Sequence, residues 1–298
     1  MARPEHVVHD PRERYRLYEL CVQDPPRTVR FLEAVHAGRG ARAPRVLRED
    51  FCGPGSLARA WAALGSGRRA VAVDREPEPP GGARGVPGVK VVMADVRVVR
   101  HRADVIAALN FAVCELHARA DLMRYLRGAR RALRPGGVLV CDLYGGREAY
   151  SAGSYRRRVR GPGGERVVYR WEQRAADPLT GRVENAIHFE VRGRGRAVRL
   201  PDAFVYHWRL WSLAELREAM LEAGFGGVLA YDRMGDALEE SGRLHVRAIE
   251  SGAELAEDYV VYLVARVGRA RGRSGAGGGK KAAGPGVGRG PRLVGANA

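Results

Sequence analysis

The chain has 298 residues, which at about 150 residues per domain allows one large domain or two small ones with a sizeable core. Apolar residues make up 45% and charged residues 29%, ordinary for a globular protein. The longest apolar runs, such as Val260 to Ala265, are too short to span a bilayer, which excludes a helical membrane protein and leaves no membrane partner to expect. The formal charge of +17 comes from 51 basic residues of which only Lys90, Lys280 and Lys281 are lysine. That skew fits the codon usage of a GC-rich genome better than a phosphate-binding face, which ordinarily mixes both cations. The N-terminus carries acids, arginines and tyrosines where a secretory signal needs an apolar core, so a cytoplasmic location is expected. Cys21, Cys52, Cys114 and Cys141 form no CxxC pair and have no His at metal-ligand spacing, so neither a disulfide framework nor a zinc ribbon is expected.

In chain order, residues 1–37 read as an N-terminal helical lid. Tyr15, Tyr18 and Cys21 mark one helical stripe and Val29, Leu32, Val35 and His36 continue it beyond a break at Pro25-Pro26. Residues 38–150 alternate apolar strands with helices: Pro44 to Phe51, a helix over Ser56 to Leu64, then strands over Arg69 to Val73, Val89 to Met93 and Val105 to Phe111. A helix over Ala120 to Leu133 and a strand over Gly137 to Leu143 complete the unit. Repeated βα units with apolar strands predict a Rossmann-like, mostly parallel sheet covered on both faces. Between 151 and 210 the period changes to two, as in Phe204, Tyr206, Trp208 and Leu210, and Asp177 to Gly181 is turn-like, so an antiparallel β insertion is predicted. Tyr155 to Arg160 reads as a solvated edge. Residues 211–267 return to the core, with a capping box Ser212-Leu-Ala-Glu215 opening a helix that ends at Gly224, and strands over Phe225 to Tyr231 and Tyr259 to Arg266. Residues 268–298 hold seven cations, no acid and almost no large apolar side chain, so a disordered basic tail with non-specific attraction to nucleic acid is expected.

The sharpest chemical signal is Val46-Leu-Arg-Glu49-Asp50-Phe51-Cys52-Gly53-Pro54-Gly55-Ser56, a strand, a glycine pair and a helix start. Glycines there let a ligand approach the backbone, where a side chain would clash. Asp74 closes the next strand, where a carboxylate can accept both hydroxyls of a ribose, and Asp95 closes the third. Gly53 to Ala58 also satisfies the relaxed dinucleotide fingerprint G-x-G-x-x-A. Glu49 argues for the other cofactor class that uses this geometry, because an acid suits a cationic amino-acid moiety and repels a pyrophosphate.

With these motifs the sequence resembles the class I S-adenosylmethionine-dependent methyltransferases over roughly residues 12–267. The resemblance implies a seven-stranded sheet whose last strand is antiparallel. It implies that Glu49, Gly53 and Gly55 form the first cofactor motif, that Asp74 binds ribose, that Asp95 and Val96 hold adenine, and that Asn110 lies beneath the methionine part. The insertion is similar to that of small-molecule N-methyltransferases, where it roofs the active site. One departure is Phe51, which stands where the family usually has glycine.

The expected reaction is methyl transfer from S-adenosylmethionine to nitrogen or oxygen of a small-molecule acceptor, with His117 as candidate base and Tyr144 as candidate positioner. The rival readings are an RNA methyltransferase using the basic tail, and a cofactor-binding protein without catalysis, for which Phe51 is the suggestive feature. The sequence does not specify an oligomeric state.

Overall fold

The computed structural model describes residues 6–7, 10–37, 42–77, 82–193, 197–240 and 244–268. The predicted tail, residues 268–298, therefore lies outside the described residues except for Gly268.

Chain order begins with β1 (His6–Val7), α1 (Pro11–Val22) and α2 (Pro25–Ala37). Asp10 caps α1 by accepting the Arg12 amide, and the chain between the helices turns extended at Gln23. The first βα units are β2 (Val46–Asp50), α3 (Ser56–Ala62), β3 (Arg69–Asp74), β4 (Val89–Met93) and β5 (Ala103–Ala108). They are followed by α4 (Arg119–Ala132) and β6 (Leu133–Gly146). The insertion comprises β7 (Gly153–Arg160), β8 (Arg166–Asp177), β9 (Arg182–Arg192) and β10 (Val198–Arg209). Then come α5 (Leu213–Glu222), β11 (Gly227–Tyr231), the short β12 (Ala237–Leu238) and β13 (Leu244–His245), and β14 (Asp258–Arg266).

The main sheet has seven strands in the order β11-β14-β6-β5-β2-β3-β4. The β2 to β6 neighbours are parallel, and β14 runs antiparallel between β6 and β11. Its centre reads as continuous apolar sequence because both faces are covered: every residue of β5 is buried. One face packs Leu122, Tyr125 and Leu126 of α4 and Leu216 and Met220 of α5 against Ile106 and Leu139. The other packs Phe31 and Leu32 of α2 and Leu57 and Trp61 of α3 against Leu47, Val105 and Val140.

The second sheet has the order β1-β10-β9-β8-β7, antiparallel except where β1 pairs with β10. Its inner face meets α1, with Leu17 and Cys21 packed on Val167, Ile187 and Phe189. The arginine-rich β7 is an exposed edge, as its composition predicts. The Asp177–Gly181 turn forms between β8 and β9, with Asp177 accepting from the Leu179 amide and the Thr180 hydroxyl. Both hydrogen bonds of the Ser212–Glu215 capping box are made. Among the described residues no helix is long and apolar enough to cross a membrane.

Of the boundaries that differ from the sequence reading, two bear on the site. The strand expected to run to Phe111 stops at Ala108, because Asn110 and Phe111 turn left-handed with φ of 60° and 62°. The strand expected to end at Leu143 continues to Gly146, since β14 keeps pairing with it as far as Asp258 opposite Gly146.

Candidate active site

The carboxyl ends of β2, β3, β5 and β6 open into a cavity of about 690 Å³. Below it lie the glycine loop, Asp74, Asp95, Val96, Leu109, Asn110 and Asp142. Above it lie Tyr15 and Tyr18 of α1 and Phe204, Tyr206 and Trp208 of β10. A cleft at this end of an open parallel sheet is where such folds bind ligands.

The glycine loop is shaped by three left-handed residues. Gly53 has φ of 49° and Gly55 φ of 68°, and a Cβ on Gly55 would lie 2.7 Å from the Ala83 Cβ. Phe51, where a glycine was expected by resemblance, adopts φ of 57° all the same, and its ring packs edge-on against Tyr125 at 6.0 Å. The backbone shape normally given by glycine is thus kept, at the modest cost of a left-handed residue with a side chain.

Glu49 is 6% exposed, lines the cavity and accepts the Ala58 amide at 2.8 Å, near the start of α3. Burial is the main cause that pushes its carboxyl up to about 8, against the lowering pull of the Ala58 amide and Arg59. Asp74 accepts the Gly53 amide at 2.9 Å with one oxygen and the Glu76 amide at 3.0 Å with the other. A carboxylate has about four acceptor positions, so it retains room for two more donors.

Asp95 is placed in the cavity wall, but Arg97 occupies it: the Arg97 amide donates to one oxygen at 2.8 Å and the Arg97 Nε to the other at 2.9 Å. The Arg97 side-chain bond is the first cause of its lowered pKa, to which the amide adds. The expectation that Asp95 receives the adenine amino group therefore meets a carboxylate already in use. Val96, beside it, is 5% exposed and offers an apolar wall.

Neither candidate catalytic residue reaches the cavity. His117 is not in the lining; its Nε2 lies 2.6 Å from the His207 carbonyl and its Nδ1 2.7 Å from Arg182. A ring that donates to a carbonyl and accepts from a guanidinium has no nitrogen left for a substrate proton, which corrects its reading as a base. Tyr144 is also outside the lining. Its hydroxyl donates to Gln173 at 2.9 Å and accepts from Asn185 at 3.2 Å, and its ring packs on Phe111 and Trp171. The reversal of the chain at Asn110-Phe111 accounts for His117, which follows it, and the continuation of β6 through Tyr144 to Gly146 accounts for Tyr144.

Asp142 was missed. It is 5% exposed, lines the cavity, and accepts the Asn110 amide at 3.1 Å and the Phe111 amide at 2.8 Å. Its signal in the sequence is a lone acid inside the apolar run Val138 to Leu143. Other lining residues missed are Tyr15 and Tyr18 of the lid, Glu115, which accepts the Trp208 indole N–H at 2.8 Å, and Arg157 of the β7 edge. The lid is fastened over the glycine loop by Glu19, which accepts the Ser56 hydroxyl at 2.6 Å and pairs with Arg59.

Residues 50–141 match the model of a methyltransferase domain, so this stretch of the chain is such a domain. No curated protein sequence matches the chain. Among solved structures, an S-adenosylmethionine-dependent methyltransferase from Clostridium acetobutylicum is 16% identical, with a TM-score of 0.63 over 86% of this chain and 98% of that one. The sugar N-methyltransferase KedS8 from Streptoalloteichus sp is 18% identical, with a TM-score of 0.59 over 86% of this chain and 93% of that one. CalS10, an amino pentose methyltransferase from Micromonospora echinaspora solved with bound S-adenosylmethionine, is 16% identical, with a TM-score of 0.61 over 89% of this chain and all of that one. The chain thus has the class I fold of S-adenosylmethionine-dependent methyltransferases, with the antiparallel sheet as its second layer.

Proposed function

We propose that the chain transfers a methyl group from S-adenosylmethionine to an amine nitrogen of a small polar acceptor held beneath the insertion sheet. The carrying observation is the cavity itself, in which a glycine loop and strand-end acids face an aromatic ceiling built by different elements. One half suits a nucleoside with a cationic amino acid, and the other suits an acceptor. The residues present fit the cofactor: the left-handed Gly53 and Gly55 keep side chains out of its path, Asp74 has acceptor positions to spare for the ribose, and Glu49, in the cavity wall, would meet the ammonium. Val96 would pack on adenine, and Asn110 would border the methionine part.

When bound, S-adenosylmethionine supplies an electrophilic methyl carbon on a sulfonium. This chain's residues then orient the acceptor and exclude water. Tyr15, Tyr18, Tyr206 and Trp208 supply aromatic faces, which attract a cation. Acids outnumber arginines in the lining although the chain as a whole is strongly basic, which favours an amine and works against a polyanion such as RNA. The sugar N-methyltransferase among the structural neighbours supports the same choice.

Calorimetry with S-adenosylhomocysteine tests the cofactor half. Binding is expected, and Asp74→Ala should weaken it by about 1.5–3 kcal/mol through loss of two charge-assisted hydrogen bonds. Equal affinity for the two proteins would remove the ribose role from Asp74. Screening small amines against hydroxy compounds for methyl transfer tests the acceptor half, and transfer to hydroxyls alone would refute the amine.

A further inference from the structure

We propose that Asp142 is a positioning residue whose carboxylate holds the Asn110–Phe111 turn, so that Asn110 faces the cofactor half of the cavity while Phe111 anchors the acceptor roof. The roles of the two halves rest on the function proposed above. The turn and its fastening are features of the fold alone.

Asn110 and Phe111 are consecutive residues with Cβ atoms, and both are left-handed, at φ of 60° and 62°. That conformation is unfavourable for either residue alone and more so for an aromatic one, so a pair of them needs an external hold. Their amides converge on Asp142, each oxygen taking one N–H, at 3.1 Å and 2.8 Å. Successive amides aimed at one anion form a compact anion-binding nest, here filled by a side chain of the same protein.

What the turn sets is visible on both sides. Asn110 lines the cavity. The Phe111 ring meets Tyr144 at 5.1 Å, Trp208 at 5.9 Å and Trp171 at 6.5 Å, all edge-on. Trp208 in turn stacks on Tyr206 at 4.4 Å and is tied by its indole N–H to Glu115 in the same connecting segment. One carboxylate within β6 therefore links the floor of the cavity to its ceiling.

The groups facing Asp142 are Tyr18 of α1, Cys114 of the connecting segment, Cys141 on its own strand and Tyr262 of β14. Burial raises the pKa of each, so all are uncharged near neutrality. The Asp142 charge is met mainly by backbone amides, and burial pushes its carboxyl up to about 7. A protonated carboxyl keeps one good acceptor oxygen and turns an O–H towards the other amide. The hold on the turn should then loosen as the pH falls through that range.

The test needs no acceptor. Trp171 and Trp208 lie against Phe111, so their fluorescence reports the turn. In the wild-type chain the emission should shift with a midpoint near pH 7. Asp142→Asn, which keeps the shape but replaces one acceptor with a donor, should abolish that transition and resemble the wild type at low pH. In an Asn110→Gly background, where glycine takes the left-handed conformation unaided, Asp142→Asn should lower Tm by no more than about half as much as in the wild type. A transition that survives in Asp142→Asn, or an equal Tm loss in both backgrounds, would overturn the proposal. Should Asp142→Asn alone not fold, the double variant decides: if it is also unfolded, the carboxylate is a general requirement of folding and does not act through the turn. Failure to methylate any amine would count against the proposed function and leave the fluorescence result standing.

Discussion

Glu49 shows what a single residue can commit to. Its carboxyl titrates near 8 in the fold against an ordinary value of 4.5, with burial as the main cause. Between those values the native chain holds a proton that the unfolded chain has released, so this group makes stability fall as the pH rises from about 4.5 to about 8. A ligand ammonium beside it reverses the preference by stabilising the anion. The affinity for S-adenosylhomocysteine should therefore rise with pH across that window, and Glu49→Gln should flatten the dependence; a slope unchanged in Glu49→Gln would remove the residue from the ligand's reach. Of the expected site residues, Glu49, Gly53, Asp74 and Asp95, read from strand ends and the glycine loop, and Val96 and Asn110, implied by the resemblance, all line the cavity, while Gly55 shapes the loop. Position along a strand tells which end a residue occupies, and in a parallel sheet the ends converge. It says nothing of a turn beyond that end, which is why His117 was misplaced, nor of how far β6 runs on, which is why Tyr144 was, and Asp142 was hidden among apolar neighbours.

At the scale of elements, the parallel strands and helices were legible because their apolar runs and caps are local properties. Their exact limits depended on partners: β6 is long because β14 stays beside it, and β5 is short because Asp142 captures the two amides that follow. The insertion was legible from its period of two, whereas the way it meets α1 was not, since that contact joins residues far apart in sequence. The meeting matters, because Phe204 packs against Tyr15 and Tyr18 at 5.3 Å and 4.9 Å and closes the roof on the lid. If β10 selects the acceptor, Trp208→Phe should raise the acceptor KM by about threefold or more while moving S-adenosylhomocysteine affinity by less than about 1 kcal/mol. Phenylalanine keeps a ring in a site that is only 3% exposed, avoiding the larger cavity an alanine would leave, but it loses the hydrogen bond to Glu115. A variant that loses cofactor affinity and keeps its acceptor KM would turn the roof into a packing element.

For the whole molecule, the distribution of charge separates two surfaces with different tasks. The cavity is rich in acids, which suits a cationic cofactor and an amine, while the chain overall carries +17. Much of that excess lies in residues 268–298, with Arg269, Arg271, Arg273, Lys280, Lys281, Arg289 and Arg292 and no acid among them. The last strand of the main sheet, β14, ends at Arg266, so among the described residues the sheet and the cavity lining precede this segment. Removing residues 268–298 should therefore leave the melting transition and S-adenosylhomocysteine affinity unchanged. Salt-sensitive retention on heparin should fall, because fewer cations remain to displace counterions from a polyanion. Both measurements are needed on the same truncated protein. Unchanged heparin elution would mean that the body's arginines, such as those exposed along β7, dominate the attraction; lost cofactor affinity or aggregation would mean that the segment supports the fold, and the boundary drawn at Gly268 would have to move.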